Sequence, residues 1–189
     1  IILLFTLYFV LVLNIGFWRN VLEHAPLNNA SNWLLLATMP LFIIAAMNVC
    51  LQIVFWPKVN RVLFPLILVL AAGASYAVMT QGIYFNADQI QNILQTNQTE
   101  ASAWISMKFI SWLLFTGILP ALLYILFIRV EPKNRWWKGW LWRLASVAVS
   151  LGVILAVAAT SYQNYASFFR NNKGITHQII PVNFIGASF

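Results

Sequence analysis

The stretch LASVAVSLGVILAVAATS, residues 144–161, contains no charged side chain and is almost long enough to cross a lipid bilayer. The hydrocarbon core of a bilayer is ~30 Å thick and an α-helix rises ~1.5 Å per residue, so about 20 apolar residues suffice. Directly before it stands RWWKGWLWR, residues 135–143, which combines basic residues with tryptophans. Tryptophan favours the headgroup level of a membrane, and basic residues favour its cytoplasmic side. These segments predict a transmembrane helix that enters the membrane from the cytoplasm.

The whole chain has the composition of a membrane protein. It has 189 residues, of which 61% are hydrophobic and only 8% charged, whereas a soluble domain carries about a quarter charged residues. The formal net charge of +7 resides in short loops beside apolar runs, as topology control requires, so we expect no nucleic-acid binding. We predict an all-α, polytopic membrane protein with five transmembrane helices and short amphipathic helices on the outer side of the membrane. The predicted spans cover about 1–18, 33–56, 62–80, 104–128 and 144–161.

The distribution of lysine and arginine orients these spans. Residues 57–61 contain two basic side chains and residues 129–143 contain five, whereas residues 81–103 contain none. Loops rich in lysine and arginine remain in the cytoplasm. We therefore expect 57–61 and 129–143 on the inside, and 19–32, 81–103 and the C-terminus on the outside.

Few side chains in the spans are suited to chemistry. All four acidic residues fall in loops, the single cysteine lies in an apolar run, and the two histidines are far apart in sequence. We therefore expect no metal site in this chain. A proton-coupled carrier normally needs ionisable groups within the membrane, so the absence of acidic residues from the spans argues against that function. The span amides Asn14, Asn48 and Gln52 are too few to make a small transporter persuasive.

The polar stretch FNADQIQNILQTNQTEAS, residues 85–102, interrupts the apolar runs and contains no basic residue. Asn86 can cap a helix, with Gln89 three positions later in a capping-box arrangement. Apolar residues then recur at helical spacing without proline or glycine. The pattern predicts an amphipathic helix over about 87–100 that lies on the outer face of the membrane that the chain spans.

Three polar residues of this predicted helix, Asn92, Thr96 and Glu100, recur every fourth position and form a stripe. A carboxylate can pair with the ammonium group of a lipid, while an amide and a hydroxyl can hydrogen-bond its phosphate or ester oxygens. A solvated helix face is the alternative interpretation, and the pattern alone leaves both open.

The chain after the fifth predicted span begins with SYQNYASFFRNNKG, residues 161–174. Its aromatic residues lie at roughly helical spacing, which predicts an interfacial belt that continues into a surface helix. The following IIPVNFIGASF, residues 179–189, loses this periodicity. We therefore predict a membrane domain over 1–175 and the start of a linker over 176–189.

Three of these stretches resemble one known family. YFNADQIQNILQTNQTEASAW (84–104), SYQNYASFFRNNKG (161–174) and IIPVNFI (179–185) resemble segments in the N-terminal membrane domain of the lipid A phosphoethanolamine transferases. That family includes the mobile colistin-resistance enzymes. The resemblance covers the whole chain, and the five spans and the outward C-terminus also match.

The resemblance implies a multi-pass protein of the Gram-negative inner membrane with short periplasmic amphipathic helices and a periplasmic C-terminus. Such enzymes move phosphoethanolamine from phosphatidylethanolamine to lipid A and confer polymyxin resistance. The resemblance also implies a periplasmic catalytic domain beyond Phe189 that carries zinc and a threonine nucleophile. Neither maps onto this chain, so we expect the chain alone to be inactive.

The resemblance also bears on the polar stripe, because by motif the family's lipid-binding Asn, Thr and Glu fall on Asn92, Thr96 and Glu100. It implies phosphatidylethanolamine, lipid A, membrane lipids and the protein's own catalytic domain as partners. The expected function is a membrane domain that anchors a transferase and helps to bind its lipid substrate. The alternative is a non-enzymatic inner-membrane scaffold or assembly subunit, which predicts a reading frame that ends soon after Phe189.

Overall fold

Helices make up nearly all of the described part of the chain. A computed structural model describes residues 2–25, 30–54, 60–82, 105–127 and 136–180, and these ranges contain no strand. The predicted all-α class is therefore confirmed. The helices are α1 (Ile2–Tyr8), a first π-helical turn (Phe9–Leu13), α2 (Ile15–His24), α3 (Ala30–Val54), α4 (Asn60–Gln81), α5 (Met107–Leu113), a second π-helical turn (Leu114–Ile118), α6 (Leu119–Phe127), α7 (Trp136–Asn171) and a 3₁₀ helix (Lys173–Gln178).

The length and apolar composition of these helices allow five membrane spans. Four are continuous: α3, α4, α5 through α6, and α7. The helical segments before and after Asn14 count as a fifth span only together, because they are bent by 58° relative to each other. The predicted polytopic membrane class is thus confirmed.

The helices extend beyond the predicted apolar runs at two places. The first span continues to His24 rather than ending near residue 18, and the last helix covers 136–171 rather than about 144–161. In both places the added turns are more polar, so hydropathy does not reveal them, although they remain helical. The amphipathic helix predicted over about 87–100 lies outside the described residues.

The spans form a row in which the first span is central. α7 packs on α3, α3 on α1, α2 on α4, and α4 on both α5 and α6. The first span also reaches the fourth: the ring centroids of Phe5 and Tyr124 are 5.4 Å apart, and the Tyr8 hydroxyl donates to the Thr116 carbonyl at 2.7 Å. The order along the row is therefore span five, two, one, three, four.

Spans one, three and five run towards one end of the bundle, and spans two and four run towards the other. Along α3 and α7, Thr38 lies 3.0 Å from the Tyr165 hydroxyl, whereas Asn48, further along α3, contacts Ser146, earlier in α7. The same opposite order holds for α4 against α5 and α6. The ends of α2, α4 and α7 and the starts of α3 and α5 therefore lie at one end of the bundle. We call it the predicted outer end.

The bend in the first span is centred on Asn14. Its Nδ2 donates to the Phe9 carbonyl at 2.8 Å, five residues back, in the first π-helical turn. The Trp18 indole N–H donates to the Val10 carbonyl, in the same turn, at 2.7 Å. A π-helical turn and a break leave backbone carbonyls without their usual partners, which is costly in a bilayer. Side chains of the span itself thus satisfy two of these carbonyls.

Two glycines, each in a different span, allow close contact with α4. A Cβ added at Gly16, in α2, would lie 2.9 Å from Val78 Cγ1, and one added at Gly117, in the second π-helical turn, would lie 2.9 Å from Ala72 Cβ. Small residues bring helix backbones together in membranes, where van der Waals packing drives association. The backbone of the third span therefore lies close to both the first and the fourth span.

Candidate functional site

The predicted substrate-binding residues Asn92, Thr96 and Glu100 lie in the stretch 83–104, outside the described residues. Their roles therefore remain predictions. The structure does describe the residues at both ends of this stretch, Gly82 and Ile105, and these show where the stretch is attached.

The two attachment points lie side by side at the predicted outer end. Tyr76, near the end of α4, has its hydroxyl 3.3 Å from Ser106 Oγ and its ring centroid 5.2 Å from that of Phe109. Ser106 also caps α5, because its Oγ accepts the Phe109 backbone N–H at 3.1 Å. At the end of α4, Gly82 has a φ of 61°, a conformation that side chains rarely adopt. The stretch with the candidate residues thus starts and ends at the joined ends of spans three and four.

The described residues at the predicted outer end include exposed basic side chains: Arg19 in α2, which pairs with Glu23, Lys108 in α5, Arg170 in the last turn of α7, and Lys173 in the 3₁₀ helix. Ammonium and guanidinium groups bind phosphate oxygens with charge-assisted hydrogen bonds. This end of the bundle therefore offers positive charge from elements other than the stretch that contains Glu100. Such charge suits an anionic phosphate.

The chain after α7 docks on the first span through side-chain amides. Asn14 Nδ2 donates to the Ile180 carbonyl at 2.8 Å, and Asn14 Oδ1 accepts the Ile180 backbone N–H, also at 2.8 Å. Further along α2, Asn20 Nδ2 donates to Gln178 Oε1 at 2.8 Å. Sequence reasoning missed these pairings, because a lone amide in an apolar run does not reveal a partner 166 positions away.

Apolar burial reinforces this docking. Ile175 is 2% exposed, Ile180 is 1% exposed and Gln178 is fully buried. The boundary predicted between residues 175 and 176 remains a prediction. The structure adds that residues up to Ile180 pack against the helices of the membrane domain.

The aromatic run before this tail lies within α7 itself. Tyr165 and Phe168 are buried, and the Tyr165 ring also contacts Phe42 of α3 at 5.5 Å between centroids. Tyr162 is 70% exposed. The belt that continues into a surface helix remains a prediction; in the structure α7 is uninterrupted through these residues, and Phe169 also packs against the core.

A second polar cluster joins α3 and α7 towards the opposite end of the bundle. Asn48 Nδ2 donates to Ser146 Oγ at 2.8 Å and to Ser150 Oγ at 2.9 Å, and Gln52 Nε2 donates to Ser146 Oγ at 3.3 Å. Hydrogen bonds of this kind stabilise helix pairs in a bilayer. These span amides thus join two helices, which is a packing role.

The described ranges do not suit a metal ion. Within them, no three His, Cys, Asp or Glu side chains come together in a way that could hold one. Zinc in the full-length protein remains an implication of the resemblance.

The fold and its ends define a class of protein: an α-helical, multi-pass membrane domain that holds a polar stretch and a docked tail at one end. A family model described as "Phosphoethanolamine transferase EptA/EptB" matches residues 43–189. The chain belongs to this family of phosphoethanolamine transferases. It is a multi-pass inner-membrane protein.

Relatives and a solved structure match the same region. EptA of Salmonella typhimurium is 33% identical over 187 residues, which is 99% of this chain and 34% of that protein. Mcr-1 from Escherichia coli is 34% identical over 62% of this chain and 21% of its own length. The integral membrane lipooligosaccharide phosphoethanolamine transferase A of Neisseria meningitidis superposes with a TM-score of 0.92 at 42% identity, over 99% of this chain and 34% of that one. The chain spans about a third of the length of the EptA proteins it matches.

Proposed function

We propose that this chain is the membrane domain of an enzyme that moves phosphoethanolamine from phosphatidylethanolamine to lipid A, a modification that confers polymyxin resistance. The observation that carries the proposal is the superposition on the Neisseria meningitidis transferase over 99% of this chain. The family match favours this function over a non-enzymatic scaffold. The chemistry is assigned to the remainder of the protein, where the resemblance implies zinc, and the chain alone is expected to be inactive.

The predicted outer end faces the periplasm in this proposal. Five alternating spans and the excess of basic residues in 57–61 and 129–143 support that orientation. The stretch 83–104 and the tail after α7 are then on the side where lipid A and a periplasmic catalytic domain are met.

The donor lipid is bound by the polar stripe in this proposal. The Glu100 carboxylate pairs with the ammonium group of phosphatidylethanolamine, and Asn92 and Thr96 hydrogen-bond its phosphate or ester oxygens. The joined ends of α4 and α5 support such a site, because they hold both attachment points of the stripe together. The exposed Lys108 lies beside one of them.

The proposal is tested in the full-length protein by Glu100→Ala and Asn92→Ala, with lipid A modification measured by mass spectrometry. We expect both changes to lower modification by roughly tenfold or more, because a charge-assisted contact contributes on the order of 1.5–3 kcal/mol. Glu23→Ala is the matched control: Glu23 is an exposed carboxylate at the same end, paired with Arg19 at 3.2 Å. Unchanged modification in correctly inserted Glu100→Ala and Asn92→Ala proteins would rule out the binding role.

A further inference from the structure

The chain contacts the bundle through different spans along α7 and along the tail that follows it. α7 itself packs mainly on α3, at the edge of the row. The 3₁₀ helix and the two residues after it cross to the central first span, where Asn14 and Asn20 hold them. The last described residue, Ile180, is therefore fixed by an element that contacts most of the bundle.

The hydrogen bonds of Asn14 are specific to a position in the backbone. Its carboxamide donates to the Ile180 carbonyl and accepts the Ile180 backbone N–H. It also donates to the Phe9 carbonyl, and this third bond holds the carboxamide in place. A pair of bonds to a single residue defines both the place and the direction of the chain there. Asn14 is 1% exposed, so water does not compete for these bonds.

We propose that Asn14 is a positioning residue for the transfer reaction: it sets the point and direction at which the chain leaves the membrane domain. This inference rests on the proposed function, in which the residues beyond Ile180 lead to the catalytic domain. A catalytic domain that must reach a membrane-bound lipid depends on where its connection begins. The same domain acting on a small soluble substrate does not.

Two substrates therefore separate positioning from folding. In the full-length protein, we expect Asn14→Ala to lower transfer from phosphatidylethanolamine in vesicles to lipid A by roughly 10- to 100-fold, as small misplacements of reacting groups do. Hydrolysis of a soluble chromogenic aryl ester of phosphoethanolamine is expected to stay within about twofold of wild type, because no membrane alignment is needed. Equal losses with both substrates would overturn the proposal.

A second variant removes a bond between Asn14 and Ile180 by changing Ile180 instead of Asn14. Ile180→Pro removes the backbone N–H that Asn14 accepts and leaves the first span unchanged. We expect it to reproduce the difference between the two substrates. Asn48→Ala is the matched control, since it also removes a buried span amide with two hydrogen bonds but does not touch the tail. A difference of the same size in Asn48→Ala would also overturn the proposal.

A distance measurement tests the attachment independently of activity. Spin labels at Glu23→Cys and Thr176→Cys, two exposed positions on α2 and the 3₁₀ helix, require Cys50→Ala to remove the native thiol. We expect one narrow distance distribution in the labelled parent and a broad one after Asn14→Ala. An unbroadened distribution overturns the inference alone. A wild-type protein that transfers nothing to lipid A would instead contradict the proposed function, and this inference would fall with it.

Discussion

At the scale of single residues, the absence of a side chain determines how closely the spans approach. Gly117 faces α4, where an added Cβ would meet Ala72 Cβ at 2.9 Å and the Val69 Cα at 3.3 Å. Neither atom can move without moving the backbone of α4. Gly152, in α7, has no atom within 4 Å of an added Cβ. The same residue type thus has a packing role at one position and none at the other.

We expect Gly117→Ala to lower the free energy of unfolding by ~1–3 kcal/mol, because spans three and four must separate to accept the methyl group. Thermal unfolding of the purified protein in detergent measures the effect. Gly152→Ala is the control and should be neutral or stabilising by about 0.5–1 kcal/mol. Equal midpoints for Gly117→Ala and wild type would show that the spans do not pack as closely as described.

At the scale of the elements, side chains just before the two π-helical turns donate hydrogen bonds to carbonyls of other spans. The Tyr8 hydroxyl of the first span donates to the Thr116 carbonyl, in the second turn. The Trp112 indole N–H, just before that turn, donates to the Ala72 carbonyl at 3.1 Å. Side chains with a polar tip on an apolar body are suited to this task inside a bilayer. The irregular turns are therefore part of the contacts between spans one, three and four.

Tyr8→Phe removes one such bond without a large change in volume. We expect it to lower the free energy of unfolding by about 0.6–2 kcal/mol, the range measured for hydrogen bonds between membrane helices. Tyr162→Phe is the control because that side chain is 70% exposed, and no loss is expected there. The comparison uses urea or thermal unfolding in the same detergent, and equal stability of both variants would contradict the role of the Tyr8 hydroxyl.

The approximate positions of the spans could be predicted from sequence, and the irregularities within them could not. Apolar runs place α3, α4 and the fourth span within a few residues, because burial in lipid requires length and hydrophobicity only. The bend at Asn14 depends on a partner near residue 180, which no local pattern contains. The second π-helical turn likewise accepts a hydrogen bond from a distant side chain, Tyr8.

The candidate site was predictable to a different degree. The stripe Asn92, Thr96 and Glu100 can be found from its spacing, but spacing does not say whether a lipid or solvent covers it. The docking of the tail on α2 has no local signal, because Asn20 and Gln178 are ordinary polar residues until the fold brings them together.

At the scale of the whole molecule, the row of spans has a central first span and two edge spans. In the apolar segments of spans four and five, 17% of each is buried, against 39% and 44% in spans two and three. Directions that alternate along the chain, not along the row, bring it to the predicted outer end after spans one, three and five. One experiment therefore determines the orientation of all five spans relative to the membrane.

Reporter fusions decide that orientation. We expect alkaline phosphatase fused after Ile180 to be active and a fluorescent protein fused after Phe127 to be fluorescent, since these reporters work only outside and inside the cytoplasm, respectively. The reason is the excess of lysine and arginine in 129–143, which keeps that loop in the cytoplasm. The reverse pattern would contradict the proposed periplasmic exit of the chain.

The pairing of Asn14 with Ile180 also has a consequence for biogenesis. The first span is synthesised before every partner it contacts, and its bonds to Ile180 bridge 166 positions. Its bond to the Phe9 carbonyl is local and can form as soon as the span is helical. The remaining donor and acceptor capacity of Asn14 must wait until the fifth span has been inserted. Completion of this membrane fold is therefore tied to the synthesis of the chain up to Ile180, and a chain released before that residue leaves Asn14 without both of these bonds.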